Sequence, residues 1–158
     1  DKPLVGAEGR GIAGYYSYRS YVAQVAEVSV DRRTGKVKVH RVVCAIDCGP
    51  YVNPDTINAQ MMGAIHMGLS AAFKEKVHFA NGGVKSANFF DYQLLRMSES
   101  FPVEVHIMES DEAQGGCGEP GLPPAAPAVA NAVFAATGAR LRHLPMTPER
   151  VLEALSRV

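Results

Sequence analysis

Residues 21–46 constrain this chain more than any other stretch. The run YVAQVAEVSVD (21–31) alternates, putting Val22, Val28 and Val30 on one face, the period-two pattern of a half-buried strand. Arg33-Thr34-Gly35-Lys36 is a turn, and Gly35 suits a positive φ there. Val37, Val39, Val42 and Val43 then continue into a second strand that ends near Ile46. Such a hairpin has an apolar face that needs cover.

Two helices are available to cover it. Asn53-Pro54-Asp55 opens the first, which runs to about residue 72; Pro54 is tolerated at a helix start and Asp55 suits the positive end of the dipole. Ile57, Met61, Ile65 and Leu69 recur at helical spacing, and Ala59, Gly63, Ala64, Gly68 and Ala71 read as an opposite, small face. That face fits close packing on a sheet, or a large ligand or second domain lying against it. An Ala/Val helix follows at about 126–137, with Gly138 as its C-cap. Thr147-Pro148-Glu149 starts a short last helix, with Thr147 as N-cap. Asn53 is a turn or N-cap residue, and His66 is a packed or surface histidine.

The remaining segments are less regular. The first 20 residues, with Gly6, Gly9, Gly11 and Gly14 beside Tyr15, Tyr16 and Tyr18, read as an irregular lead-in, ending at most in a short strand. Residues 74–80 read as a strand before the Gly82-Gly83 turn, and 84–101 as irregular. Phe89, Phe90 and Tyr92 are expected in the core or at a domain interface. Val103, Val105 and Ile107 alternate as a strand. The expected fold is therefore α+β: a mixed sheet with an N-terminal β-hairpin, two main helices packed on it and a short C-terminal helix, in one unit over 1–158.

Composition removes several functions. Lys and Arg total 16 against 16 Asp and Glu, so neither a nucleic-acid stripe nor an anionic-membrane anchor is expected. At 47% hydrophobic the chain is too apolar for disorder, yet no run approaches the roughly 18–20 residues of a membrane span. The start, Asp-Lys-Pro-Leu, lacks the order of a signal peptide and has no initiating Met, which reads as a processed or excised piece. The cysteines are Cys44, Cys48 and Cys117, an odd number that disfavours a disulfide framework and mildly favours a reducing compartment. Cys44 and Cys48, with His40 or His66, lack the spacing to complete a tetrahedral metal site, so both are expected to be buried apolar residues.

Chemistry is concentrated in residues 110–127, SDEAQGGCGEPGLPPAAP. Three glycines within 115–118 allow close backbone approach and expose N–H groups, and a proline fixes Glu119 immediately after them. A carboxylate on a rigid loop suits a general base, or a ligand for a cation or an N–H group. The run matches neither a phosphate-binding loop nor a dinucleotide fingerprint. Cys117 lacks a nearby histidine to activate it as a nucleophile.

The run GGCGEPGLPPAAPAVANAVFAATG (115–138) resembles the C-terminal active-site loop and helix of the molybdenum hydroxylases, the large subunits of the xanthine dehydrogenase and aldehyde oxidase family. Residues 21–49, 52–73 and 88–110 agree in the expected order, and the tail 140–155 fits the isoquinoline 1-oxidoreductase β-subunit type. Cys117 departs from the pattern, which has a small aliphatic residue there.

This resemblance implies hydroxylation of an aldehyde or N-heterocycle with oxygen taken from water. It implies a molybdenum–molybdopterin cofactor, often in the cytosine dinucleotide form, and [2Fe-2S] clusters on a small iron–sulfur partner subunit. Glu119 would be the catalytic base, Gln60 would hydrogen-bond the pterin, and Gly115, Gly116, Cys117 and Gly118 would approach the cofactor. The chain would be the C-terminal portion of the cofactor-binding domain, inactive without the remainder of the molybdenum subunit. A different class of reading is a non-catalytic folding or subunit-interaction module. Cytoplasm and periplasm both remain open.

Overall fold

The structure, a computed structural model, describes residues 8–158. Along the chain run β1 (Gly9–Ser17), β2 (Ser20–Val30), β3 (Val37–Asp47), α1 (Pro54–Phe73), β4 (Phe79–Ala80), β5 (Gly83–Val84), a 3-10 turn (Met97–Glu99), β6 (Val103–Ile107), α2 (Ala125–Thr137) and α3 (Pro148–Leu155). The main sheet has the order β1-β2-β3-β6, antiparallel except for the parallel β3–β6 pair. The expected α+β fold with a mixed sheet is what the chain adopts.

The β2–β3 hairpin forms as its alternation requires, with one irregularity. Glu27 pairs with Arg41 and Val28 with Val39, which leaves His40 as the extra residue of a bulge. The bulge reverses the parity of β3. Val37 and Val39 before it and Val42, Cys44 and Ile46 after it therefore all meet the core. Val43 faces outward.

The lead-in expected over 1–20 is instead a nine-residue strand from Gly9 onward; its first seven residues lie outside the described ones. Glycine is structural here. A Cβ on Gly9 would fall 2.1 Å from the Ala132 carbonyl oxygen, and one on Gly11 would fall 2.1 Å from the Ala132 nitrogen. Missing side chains let the backbone of α2 settle directly on β1, and strand pairing offsets the propensity cost.

α2 buries Ala128, Val129, Ala132 and Val133 over β1 and β2, and Gly138 closes it at φ 81°. α1 buries Ile57, Met61, Ile65 and Leu69 beside α2 and β6. Its small residues do not form one opposite face. Ala64 and Gly68 share the buried side, where a Gly68 Cβ would sit 2.8 Å from the Leu122 carbonyl, whereas Gly63 faces open space. Asn53 caps α1 through Oδ1, which accepts from Asp55 N–H at 2.9 Å. Thr147 occupies the N-cap of α3, but its hydroxyl caps no backbone amide.

Between α1 and β6 the strand expected over 74–80 shrinks to Phe79–Ala80, because Lys74 and Glu75 still donate to the Ser70 carbonyl as the helix closes. Phe89 and Phe90 are 77% and 88% exposed, so they are not in the core of this unit. Tyr92 is half-buried and donates to Glu75. Among the described residues no helix is long and apolar enough to cross a membrane.

Candidate active site

The glycine-rich segment after β6 is fastened along its length. Met108 N–H donates to the Ile46 carbonyl at 2.8 Å, and the Ser110 hydroxyl to Asp47 Oδ1 at 2.6 Å. Gly49 N–H reaches the same carboxylate oxygen at 3.1 Å. These two donors, Ser110 first, hold the Asp47 carboxyl below the usual carboxylate range. Gly115 N–H then donates to the Cys48 carbonyl and Gly116 N–H to the Tyr18 carbonyl, each at 2.8 Å. From β2, the Ser20 hydroxyl donates to the Gly116 carbonyl at 2.7 Å and Gln24 Nε2 to the Gly121 carbonyl at 2.6 Å.

Such fastening needs close approach. A Cβ on Gly115 would lie 2.3 Å from Ser20 Oγ and 2.6 Å from the Arg19 carbonyl, so no side chain fits. Gly49 faces the same segment at φ +67°, with its Cβ position 2.7 Å from the Glu112 carbonyl.

Glu119 emerges from this platform exposed to solvent, and its carbonyl accepts from Leu122 N–H at 2.9 Å, closing a turn. Its Oε2 accepts from the Tyr18 hydroxyl at 3.1 Å. Among the described residues Oε1 has no partner. Tyr18 belongs to the two-residue β1–β2 turn, where Tyr18 and Arg19 both hold left-handed backbone, φ 51° and 61°. Such a turn matches the twist of the strands but is ordinarily filled by Asn-Gly or Gly-Gly. The Glu119 hydrogen bond and charge raise the Tyr18 phenol above its ordinary range.

Two of the expected site residues come together from distant parts of the chain. Gln60 projects exposed from α1, with Nε2 3.5 Å from where a Gly118 Cβ would lie. Among the described residues the amides of Cys117 and Gly118 donate to no acceptor, whereas those of Gly115 and Gly116 are committed to Cys48 and Tyr18. Cys44 and Cys48 are buried in the core, and Cys117 is half-buried. His66 stacks on Phe101 at 4.6 Å and bonds the Met62 carbonyl and the Ser100 hydroxyl.

Sequence reasoning misses Tyr18, Ser20 and Gln24 as site residues, although it places the strand that carries Gln24. Ser20 and Gln24 alternate inward with Val22 and Ala26, and polar groups at inward positions must find partners. That is the available signal. The partners are the carbonyls of the glycine segment.

Residues 6–101 match the profile of the molybdopterin cofactor-binding domain, well over half of the chain. The chain belongs to that family. In this molybdopterin cofactor-binding domain the glycine segment and Glu119 lie beyond the matched residues. The domain is 42% identical over 144 residues to the beta subunit of isoquinoline 1-oxidoreductase from Brevundimonas diminuta, covering 89% of this chain and 18% of that protein. It is also 38% identical over 136 residues to the large subunit of nicotine 6-hydroxylase from Paenarthrobacter nicotinovorans, covering 80% of this chain and 17% of the relative. The chain thus spans less than a fifth of the length of either. Among solved structures it superposes on the aldehyde oxidoreductase of Desulfovibrio gigas with a TM-score of 0.74 and 28% identity, over 87% of this chain and 15% of that one.

Proposed function

We propose that this domain is the base-bearing, C-terminal part of a molybdenum hydroxylase that oxidises aldehydes or N-heterocycles with water as the oxygen source. One observation carries the reading. Glu119 stands on a backbone fastened on three sides, with Oε2 held by Tyr18 and Oε1 open. A carboxylate so placed is pre-oriented to take a proton.

The residues around it fit the cofactor of the family. Gln60 offers a carboxamide beside Gly118, the Cys117 and Gly118 amides offer uncommitted donors, and Gly118 leaves room for a ring system to approach. These groups would hold the molybdopterin, here proposed in its cytosine dinucleotide form. When bound, the cofactor supplies a Lewis acid that makes a water-derived hydroxyl acidic, and an acceptor for two electrons. Glu119 Oε1 takes the hydroxyl proton, while Gln60 and the two amides orient the pterin. The proposed partners are the rest of the molybdenum subunit and a small subunit carrying [2Fe-2S] clusters.

Replacing Glu119 by Gln in the complete, cofactor-loaded subunit should abolish turnover while molybdenum content stays at the wild-type level. Near-normal turnover would remove Glu119 from the reaction. The polypeptide 1–158 by itself should neither retain molybdenum nor oxidise aldehydes.

A further inference from the structure

The β1–β2 turn places a costly residue where a cheap one would serve. Asn-Gly would satisfy its left-handed backbone, yet Tyr18 and Arg19 stand there at φ 51° and 61°. Backbone strain persists where surrounding contacts hold it, and it collects at working sites. Tyr18 has two such contacts, both with the segment bearing Glu119. Its carbonyl accepts Gly116 N–H at 2.8 Å, and its hydroxyl donates to Glu119 Oε2 at 3.1 Å. A Cβ on Gly116 would lie 3.0 Å from Tyr18 Cβ, so the two pieces of backbone pack directly. Ser20, just beyond the turn, closes the arrangement through the Gly116 carbonyl.

We propose that Tyr18 is the positioning residue for the base: its hydroxyl holds Glu119 Oε2 and thereby fixes the direction in which Oε1 faces the reacting proton. This inference rests on Glu119 acting as the base. Tyr18 itself exchanges no proton in the reaction. Its hydroxyl stays a donor, and the hydrogen bond and charge of Glu119, with smaller contributions from burial and Tyr15, keep that phenol protonated.

The test uses the complete cofactor-loaded subunit with three variants. Tyr18→Phe keeps the ring and backbone but removes the donor; it should lower kcat roughly tenfold, as loss of one charge-assisted hydrogen bond implies, with KM and molybdenum content unchanged. Tyr18→Asn relaxes the turn and also removes the donor. A structural role for Tyr18 predicts that this variant works as well as wild type, whereas positioning predicts the same loss of kcat. Independently of activity, a 13C label on the Tyr18 phenol carbon should titrate above ordinary tyrosine and return toward it in Glu119→Gln. Wild-type kcat in Tyr18→Phe, while Glu119→Gln is inactive, would overturn the positioning role and leave the base in place. Turnover by Glu119→Gln would overturn both.

Discussion

Gln24 Nε2 donates to the Gly121 carbonyl across 2.6 Å, joining the middle of β2 to the far end of the glycine segment, and Gln24 is fully buried. This bond secures the segment beyond Glu119 as Gly116 secures it before. Replacing Gln24 by Leu preserves volume but strands a buried carbonyl, which costs about 1–2 kcal/mol. Urea unfolding should show the unfolding free energy fall by that amount, with the midpoint lowered by the same loss divided by the m-value. An unchanged midpoint would mean that the Gly121 carbonyl finds water instead.

Gly115 and Gly118 look alike in sequence but should respond differently to alanine. At Gly115 the added Cβ would meet Ser20 Oγ and the Arg19 carbonyl at 2.3 and 2.6 Å, so the loop must shift away from the β1–β2 turn. At Gly118 its nearest neighbour is Gln60 Nε2 at 3.5 Å, an ordinary contact. Gly115→Ala is expected to lose about 1–3 kcal/mol of stability, the range for overpacking, and Gly118→Ala nearly none. Thermal melts of the two variants decide this, and equal melting temperatures would contradict the close approach.

What the amino-acid order disclosed depended on the distance over which each interaction acts. Alternation in residues 21–46 is local, so β2 and β3 were visible, as was Asn53 at the start of α1. Gly9 and Gly11 resemble loop residues until α2 is known to lie on them. The parity change at His40 likewise depends on its partner strand. Glu119 stood out because three glycines and a proline frame it. Tyr18 is 101 residues away, and no local pattern pairs it with a carboxylate. Phe89 and Phe90 are expected in the core or at a domain interface, and their exposure of 77% and 88% removes the first of these.

The three thiols should separate by reactivity. Burial pushes the Cys44 thiol up to about 11, leaving roughly one thiolate in a thousand at pH 8. Burial, then the neighbouring Cys117 and Asp47, also raise Cys48. Cys117 is half-buried in the glycine segment. Iodoacetamide at pH 8 followed by peptide mass spectrometry should find Cys117 modified and Cys44 spared in the folded chain. Labelling of Cys44 at the rate of a free thiol would mean that β2 and β3 separate readily.

Glu27 should tie stability to pH. It lies on the outer face of the sheet yet is 2% exposed, because Arg10 and Arg41 close over it at 2.8 and 3.1 Å. Burial alone would raise its pKa, but hydrogen bonds from Arg41 and Arg10, with their charges, outweigh it and leave the carboxyl below its ordinary value. A depressed carboxyl stabilises the fold above the unfolded-state pKa, and that contribution fades as pH falls through the folded value. Glu27→Gln should therefore cost about 2 kcal/mol at pH 7, less than a fully buried pair because both arginines keep contact with water. The gap between wild type and variant should narrow below about pH 4.5, near the ordinary glutamate pKa, and close once the folded-state carboxyl is protonated. Urea titrations of both proteins from pH 7 to pH 3 measure that gap directly, and a gap that stays constant over the range would show that Glu27 is not the charged centre of this cluster.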